Sequence, residues 1–230
     1  MIVELLERPE QFQVRGILNY TGVRHVTPYV NPIVEATKVI AGLEAWFPEY
    51  TARNTSGLVA PQGSIGAIEG GWPYKPAFVP TTCNLYVDLR VSPRTDPMEV
   101  KHQLGEALAH IRAANPGLEL DWEMILAIPG THTDPQSWIV QSLMRAWEFR
   151  EGQPHVPRGG TSGATDAAIL RGRGIPTARL GLPRAQAPAA YQGFSMGVAS
   201  LPGMRRLTEC LVYAIVDTCT RDREEVGLAS

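Results

Sequence analysis

The segment CNLYVDLRVS, residues 83–92, constrains the fold of this chain more than any other feature. Apolar and polar side chains alternate along it, which is the period of a β-strand with one face on a core. The apolar set is Cys83, Leu85, Val87, Leu89 and Val91, and the polar set is Asn84, Tyr86, Asp88 and Arg90. We therefore expect a sheet that buries one face and keeps the other polar.

Further elements can be placed around this strand. Asn31-Pro32 opens a helix, with proline at its first position, that we expect to end at Pro48. Asp96-Pro97 opens a second helix in the same way. Strands are predicted at residues 11–22, 64–71 and 118–128. The resulting order, βαββαβ, is that of a ferredoxin-like domain.

The second part of the chain differs from the first. Pro129-Gly130 is a predicted boundary, which divides the chain into a tail (1–10), a ferredoxin-like domain (11–130) and an α/β part (131–230). Asp134-Pro135 predicts a helix start, Ile175–Leu182 a buried strand, and the pattern from Leu207 to Thr218 a final amphipathic helix. A parallel-type sheet needs several neighbouring strands, so this part is either a small addition or requires strands from elsewhere.

Composition excludes several functions. The formal net charge of −2 gives no basic field for nucleic acid or anionic lipid. Three cysteines without a CxxC spacing argue against a disulfide framework or a thiolate zinc site, and favour the cytoplasm. The N-terminus has early acidic residues and does not read as a secretory signal, and we find no uninterrupted apolar run of about 18 residues that would span a membrane.

Four ordered segments resemble the M20 family of metallopeptidases and deacylases, which includes acetylornithine deacetylase and succinyl-diaminopimelate desuccinylase. Their order and spacing match across roughly residues 11–220. The segments are Gly22-Val23-Arg24-His25 followed by Asn31-Pro32-Ile33, then Val87-Asp88-Leu89-Arg90 with Pro93, then Ser162-Gly163-Ala164-Thr165-Asp166, and finally Gly174-Ile175-Pro176-Thr177 with Gly181.

The resemblance implies a lid, or dimerisation, domain followed by the end of a zinc-peptidase-like catalytic domain. Intact members use two zinc ions and a shared water to attack an amide carbonyl. In the family all zinc ligands but a late histidine precede the lid, and that histidine is expected within residues 176–230, where the sequence has none. Zinc is thus expected for the intact family, and no metal is predicted to bind this chain.

The resemblance also implies roles for His25 and Arg90. The family's matching histidine stabilises the oxyanion in the active site of a partner subunit, whereas the alternative for His25 is an exposed loop residue. The matching arginine holds a substrate carboxylate, whereas the alternative for Arg90 is an ion pair, for example with Asp88.

The remaining candidates belong to two helix starts. Gly163 and Thr165 are assigned to substrate binding, because exposed N–H groups at their turn can bind a carboxylate. The resemblance implies the same role for Asn31. Asp166 is assigned to helix capping. The segment His132–Asp134 mimics an HxD metal motif, but we interpret Asp134 as a helix cap instead.

Two functions follow. The first is an M20-like metallo-amidohydrolase fragment that acts on N-acyl amino acids or small peptides. It would be inactive alone and pair with the missing half, on this or a separate chain. The second is a non-catalytic dimerisation or carboxylate-binding module. Both imply a homodimer, formed through the helix at residues 32–47 and the strand near 64–71.

Overall fold

The computed structural model describes residues 11–26, 29–157, 159, 163, 165–181 and 198–227. Contacts divide the chain into two compact units. Unit 1 is Met1–Gly130 with Arg158–Ala164, and unit 2 is Thr131–Pro157 with Thr165–Ser230. The predicted tail at residues 1–10 lies outside the described residues.

Unit 1 contains a four-stranded antiparallel sheet and two long helices. Its elements are β1 (Gln11–Arg15), β2 (Asn19–Tyr20), α1 (Pro32–Asn54), β3 (Gly63–Gly70), β4 (Phe78–Val79), β5 (Thr82–Leu89), α2 (Pro97–Ala114) and β6 (Leu120–Trp122). The sheet order is β3-β5-β1-β6, and β2 pairs with β4 in a separate two-stranded sheet. With α1 and α2 as crossovers this is the ferredoxin-like βαββαβ arrangement, and that prediction is confirmed.

The core of unit 1 lies on one face of the sheet. Residues 83, 85, 87 and 89 of β5 are buried, whereas the residues between them are half-buried. Apolar residues from α1 and α2 complete the same cluster, among them Val39, Leu43, Phe47, Leu104 and Leu108. The alternation predicted from the sequence is therefore confirmed, and the second face of the sheet is polar.

Helix α1 begins where the sequence predicted but ends later. Asn31 caps it as expected, since its Oδ1 accepts a hydrogen bond from the Ile33 N–H at 3.0 Å. The helix does not end at Pro48 but continues to Asn54. A proline removes one helical hydrogen bond, yet Phe47 and Tyr50 on either side of it are buried in the core and hold the next turn in place.

Three other segments of unit 1 depart from expectation. The strand predicted over residues 11–22 is interrupted after Arg15, where a Cβ on Gly16 would lie 2.4 Å from Pro32 Cδ. Close packing against the start of α1 thus turns the chain away from the sheet. The strand predicted over 118–128 is limited to β6, and β4 at Phe78–Val79 is a strand that the sequence did not predict.

Unit 2 is helical in the part of the chain that the structure describes. Its helices are α3 (Trp138–Glu151), α4 (Ala167–Gly172) and α5 (Leu201–Cys219). The strand predicted at Ile175–Leu182 is wrong for the described residues 175–181, which form no strand. Thr177 instead donates its N–H to Thr133 Oγ1 at 3.1 Å and accepts a bond from Arg171 at 2.9 Å. None of the described helices is long and apolar enough to cross a membrane.

Candidate functional site

Arg90 directly follows β5 and is fixed at three points. Its N–H donates to the Gln62 carbonyl at 2.9 Å, and its carbonyl accepts from the Tyr50 hydroxyl at 2.5 Å. Its guanidinium lies 2.8 Å from Asp88 Oδ2. The ion pair considered as the alternative role is therefore formed, and a substrate carboxylate would have to compete with Asp88 for this arginine.

The carboxyl of Asp88 is subject to two opposing effects, burial and the charge of Arg90. Burial raises the pKa of its carboxyl above the ordinary value, and the charge of Arg90 opposes that shift. Its second oxygen, Oδ1, is buried without a hydrogen-bond partner among the described residues, as is Oδ1 of Asn84. An unpaired buried acceptor is costly, so this polar strand face could accept hydrogen bonds from an added donor.

The polar face of the sheet also contains contacts between strands that the sequence did not indicate. Tyr86 donates its hydroxyl to Glu69 Oε2 on β3 at 2.8 Å. Arg15 on β1 lies 2.6 Å from Asp121 on β6. The alternation within β5 predicted which residues of that strand share a face. Partners from other strands depend on register, which the pattern of one strand does not give.

His25 lies in an exposed turn. A short 3-10 turn, Thr21–Val23, precedes it, and Thr21 holds that turn by donating both its N–H and its hydroxyl to the Ala77 carbonyl, at 2.8 and 3.0 Å. The pairing of β2 with β4 places this anchor. His25 is thus held on a backbone support with its side chain accessible, a placement that both roles considered for it require.

The candidates near α4 are spread over two units. Gly163 is exposed and belongs to unit 1, whereas Thr165 is half-buried and belongs to unit 2. Asp166 occupies the N-cap position of α4, but its side chain makes no capping hydrogen bond. The expected side-chain cap is therefore corrected: backbone carbonyls of Thr165 and Asp166 accept from Ala168 and Ile169 instead.

The described residues do not supply a metal centre. They contain no group of three or more histidine, cysteine, aspartate or glutamate side chains placed to hold an ion. His132 is exposed, and Asp134 Oδ1 accepts a bond from the Gln136 N–H at 2.8 Å, although α3 begins only at Trp138. The donor set described here does not fit a dinuclear zinc site. Nor does a hydrogen bond join any two of the candidate residues within the described ranges.

Residues 27–115 match the family model of the peptidase dimerisation domain, M20_dimer. The matched segment runs from the loop before α1 to the end of α2. This chain carries the M20 peptidase dimerisation domain.

Solved structures of a peptidase, a dipeptidase and an amidase share the fold. A hydantoinase/carbamoylase family amidase from Burkholderia ambifaria aligns with a TM-score of 0.64 and 22% identity, covering 96% of this chain and 47% of its own. A tripeptidase from Staphylococcus aureus aligns with a TM-score of 0.62 and 16% identity, covering 92% and 51%. A di-peptidase from Saccharomyces cerevisiae gives 0.60 and 14%, covering 89% and 53%. The chain thus spans about half the length of the solved proteins it matches.

Proposed function

We propose that this chain is the dimerising half of an M20-type metallo-amidohydrolase. With the metal-bearing half present, the enzyme would hydrolyse the amide bond of N-acyl amino acids or small peptides. Two exposed features within residues 27–115 carry the proposal, the unpaired edge of β3 and one side of α1, and we propose that together they form a self-association surface. The match of the same residues to the M20_dimer family model supports it.

Strand β3 offers an edge for pairing. It is the outermost strand of the sheet, so the outer backbone groups of Gly63–Gly70 have no strand partner among the described residues. Ile68 at this edge is 51% exposed. An unprotected strand edge pairs readily with a second strand, and a two-fold axis would bring two copies of β3 together.

Helix α1 presents a surface suited to close approach. A series of exposed residues with short or apolar side chains recurs at steps of three and four, which places them on one side of the helix. The series is Val34, Thr37, Ala41, Ala45 and Pro48. A second helix can pack closely against the short side chains of this series, and the exposed Glu44 lies at its margin.

The candidate residues take their roles from this assembly. His25, on its exposed turn, would reach across the two-fold axis and donate a hydrogen bond to the oxyanion in the partner subunit. Arg90, Asn31 and Gly163 would bind the substrate within unit 1, with Arg90 exchanging Asp88 for a substrate carboxylate. For Thr165, which belongs to unit 2, substrate binding is proposed separately. We also place the protein in the cytoplasm, a proposal that three free cysteines support.

Sedimentation equilibrium of the full chain tests the dimer. We expect a dimer at micromolar concentration, and a shift towards monomer for Ala41→Glu and Ile68→Lys, which place charges in the proposed contact. Ala113→Glu and Met98→Lys change exposed residues of α2 and serve as matched controls. A monomeric wild-type chain would contradict the proposal.

Activity separates this proposal from a second candidate, a non-catalytic dimerisation module. The donor set of the described residues, which does not fit dinuclear zinc, favours that candidate for the isolated chain. Zinc content by mass spectrometry and hydrolysis of N-acetyl amino acids decide between them. Two zinc ions per chain, or amide hydrolysis by this chain alone, would exclude the module.

A further inference from the structure

Asp88, near the end of β5, contacts the guanidinium of Arg90 through one of its two oxygens. Oδ2 of Asp88 lies 2.8 Å from Nη2 of Arg90, and 30% and 28% of the two side chains are exposed. Oδ1 of the same carboxyl has no hydrogen-bond partner among the described residues. A guanidinium can hold a carboxylate by two parallel N–H···O bonds. Asp88 therefore leaves part of the binding capacity of Arg90 unused.

The main chain of Arg90 is held in place without help from Asp88. The hydroxyl of Tyr50, a residue that is 1% exposed, donates to the Arg90 carbonyl. The Arg90 N–H donates to the Gln62 carbonyl at 2.9 Å. Neither bond involves the Asp88 side chain. The guanidinium would therefore remain at the same end of β5 if Asp88 turned away from it.

The carboxyl of Asp88 is poorly satisfied in this pair. Burial disfavours its charged form and raises its pKa, an effect that the charge of Arg90 opposes. A buried acceptor without a hydrogen bond, such as Oδ1, is costly. Rotation of the side chain towards water would offer Oδ1 the donors that it lacks. A ligand that replaces Asp88 at Arg90 therefore meets a weakened competitor.

The neighbouring strand leaves the pair accessible. Ser64 on β3 lies opposite Asp88 in the sheet and is exposed. The register of the two strands shifts near this position, and such irregularities are common beside active sites. Glu69, further along β3, already accepts a hydrogen bond from the Tyr86 hydroxyl at 2.8 Å. Asp88 is thus the acidic residue placed to compete for Arg90.

We infer that Asp88 is a tethered competitor for Arg90, which pairs with the guanidinium when no ligand is bound and gives way to a ligand carboxylate that engages two N–H groups at once. The inference rests on the proposed function, because it concerns the carboxylate that Arg90 binds there, and it deepens that function by assigning control of affinity to Asp88. A planar anion with two oxygens is favoured over one that makes a single contact, such as chloride.

Titration of the full chain with N-acetylalanine, followed through the ¹⁵Nε resonance of Arg90, tests this inference. Arg90→Lys assigns the resonance. Asp88→Asn keeps the shape of the side chain and removes its charge, and we expect it to bind N-acetylalanine about tenfold more tightly than wild type. Asp88→Glu keeps the charge and should bind no more tightly than wild type. N-acetylalaninamide, which lacks the carboxylate, should not shift the resonance.

Two results of this titration would overturn the inference. The first is an Asp88→Asn chain that binds N-acetylalanine as wild type does or more weakly, since Asp88 would then orient Arg90 or have no effect on it. The second is an Arg90 resonance that N-acetylalanine shifts in neither chain.

A second measurement does not depend on a variant. The ¹³Cγ shift of Asp88 in the wild-type chain should change as N-acetylalanine binds, because the carboxyl leaves the guanidinium, and an unchanged shift at saturation would overturn the inference. Asp121→Asn is the matched control, since it removes the acid that lies 2.6 Å from Arg15 in the same sheet and should leave binding at Arg90 unchanged. An equal gain in affinity for this control would assign the effect to net charge and overturn the inference.

The outcomes also separate this inference from the proposed function. Tighter binding by Asp88→Asn in a chain that stays monomeric and hydrolyses no amide together with the metal-bearing half would contradict the proposed function alone. A dimeric, active assembly whose Asp88→Asn variant binds N-acetylalanine no more tightly would contradict the inference alone.

Discussion

Asn54 at the end of α1 and Gln103 on α2 form a buried amide pair. Asn54 Nδ2 donates to Gln103 Oε1 at 2.8 Å, and Gln103 Nε2 donates back to Asn54 Oδ1 at 3.4 Å. Asn54 also donates to the Tyr50 carbonyl at 2.9 Å, and Gln103 to Glu99 at 3.0 Å. This pair ties together the two helices that cover the sheet, alongside their apolar contacts and the exposed ion pairs of Arg53 with Glu99 and Glu106.

Removal of one member of the pair should destabilise unit 1. Gln103→Ala leaves the Asn54 side chain buried with its Oδ1 unpaired, and we expect the free energy of unfolding to fall by about 1–3 kcal/mol. Urea denaturation followed by circular dichroism measures the change. Gln136→Ala, at an exposed position, is the control. A Gln103 variant as stable as wild type would show that the pair contributes nothing to the packing of α1 on α2.

Two helical glycines should respond to alanine in opposite directions. A Cβ on Gly42 of α1 would lie 2.5 Å from Ile111 Cγ1 of α2, whereas one on Gly105 of α2 would lie 3.5 Å from Trp122. We expect Gly42→Ala to destabilise by about 1–3 kcal/mol through overpacking, and Gly105→Ala to stabilise by about 0.5–1 kcal/mol through helix propensity. Thermal denaturation of both variants compares them, and equal signs would contradict the close approach at Gly42.

The sequence predicted the sheet better than the ends of its strands. Alternation over residues 83–92 identified both faces of β5, and Asn31-Pro32 and Asp96-Pro97 placed both helix starts, because these signals are local. The interruption at Gly16 and the continuation past Pro48 depend on what packs against each segment. The strand predicted at residues 175–181 does not form for the same kind of reason, since the described residues offer no neighbouring strand to pair with it.

The sequence predicted individual residues of the candidate site but not most of the contacts between them. The sequence indicated that Asp88 and Arg90 share a face, and the structure joins them at 2.8 Å. It did not indicate that Tyr50, from the middle of α1, would bond the backbone of Arg90. A side-chain cap can be expected from the residue type at a helix start. Asp166 is an aspartate at the N-cap position of α4, but its side chain makes no capping hydrogen bond.

Tyr50 links the helical layer to the end of β5 and should control stability at alkaline pH. Burial, and secondly the charge of Asp88, raise the pKa of its hydroxyl well above the ordinary value. A folded pKa above the unfolded value gives stability that is present below about pH 10 and is lost as pH rises towards the folded pKa. Tyr50→Phe removes this dependence, and its lost hydrogen bond should cost about 1 kcal/mol at neutral pH.

Urea denaturation of Tyr50→Phe and wild type, at neutral pH and at about pH 11, measures both effects. The gap between the two proteins should narrow at the higher pH. Tyr74→Phe changes a tyrosine that is 97% exposed and should alter neither value. A gap that widens with pH would reverse the sign and contradict the burial of Tyr50 against Arg90.

Asp217 gives unit 2 the opposite pH dependence. A hydrogen bond from Arg145 Nη2 at 2.6 Å lowers the pKa of its carboxyl, burial opposes this, and a hydrogen bond from Ser142 at 2.7 Å lowers it further. A folded pKa below the unfolded value gives stability that is present above about pH 4 and is lost as pH falls through the folded pKa.

Asp217→Asn should therefore lower the free energy of unfolding by about 1–2 kcal/mol at neutral pH, with a smaller difference from wild type below about pH 4. Denaturation monitored by tryptophan fluorescence suits this test, since Trp138 donates its indole N–H to Thr218 at 3.1 Å beside the ion pair. Asp121→Asn breaks an exposed pair with Arg15 and should change stability by less than about 1 kcal/mol. If the two variants lost equal stability at neutral pH, the half-buried bonds of Asp217 would be worth no more than a surface ion pair.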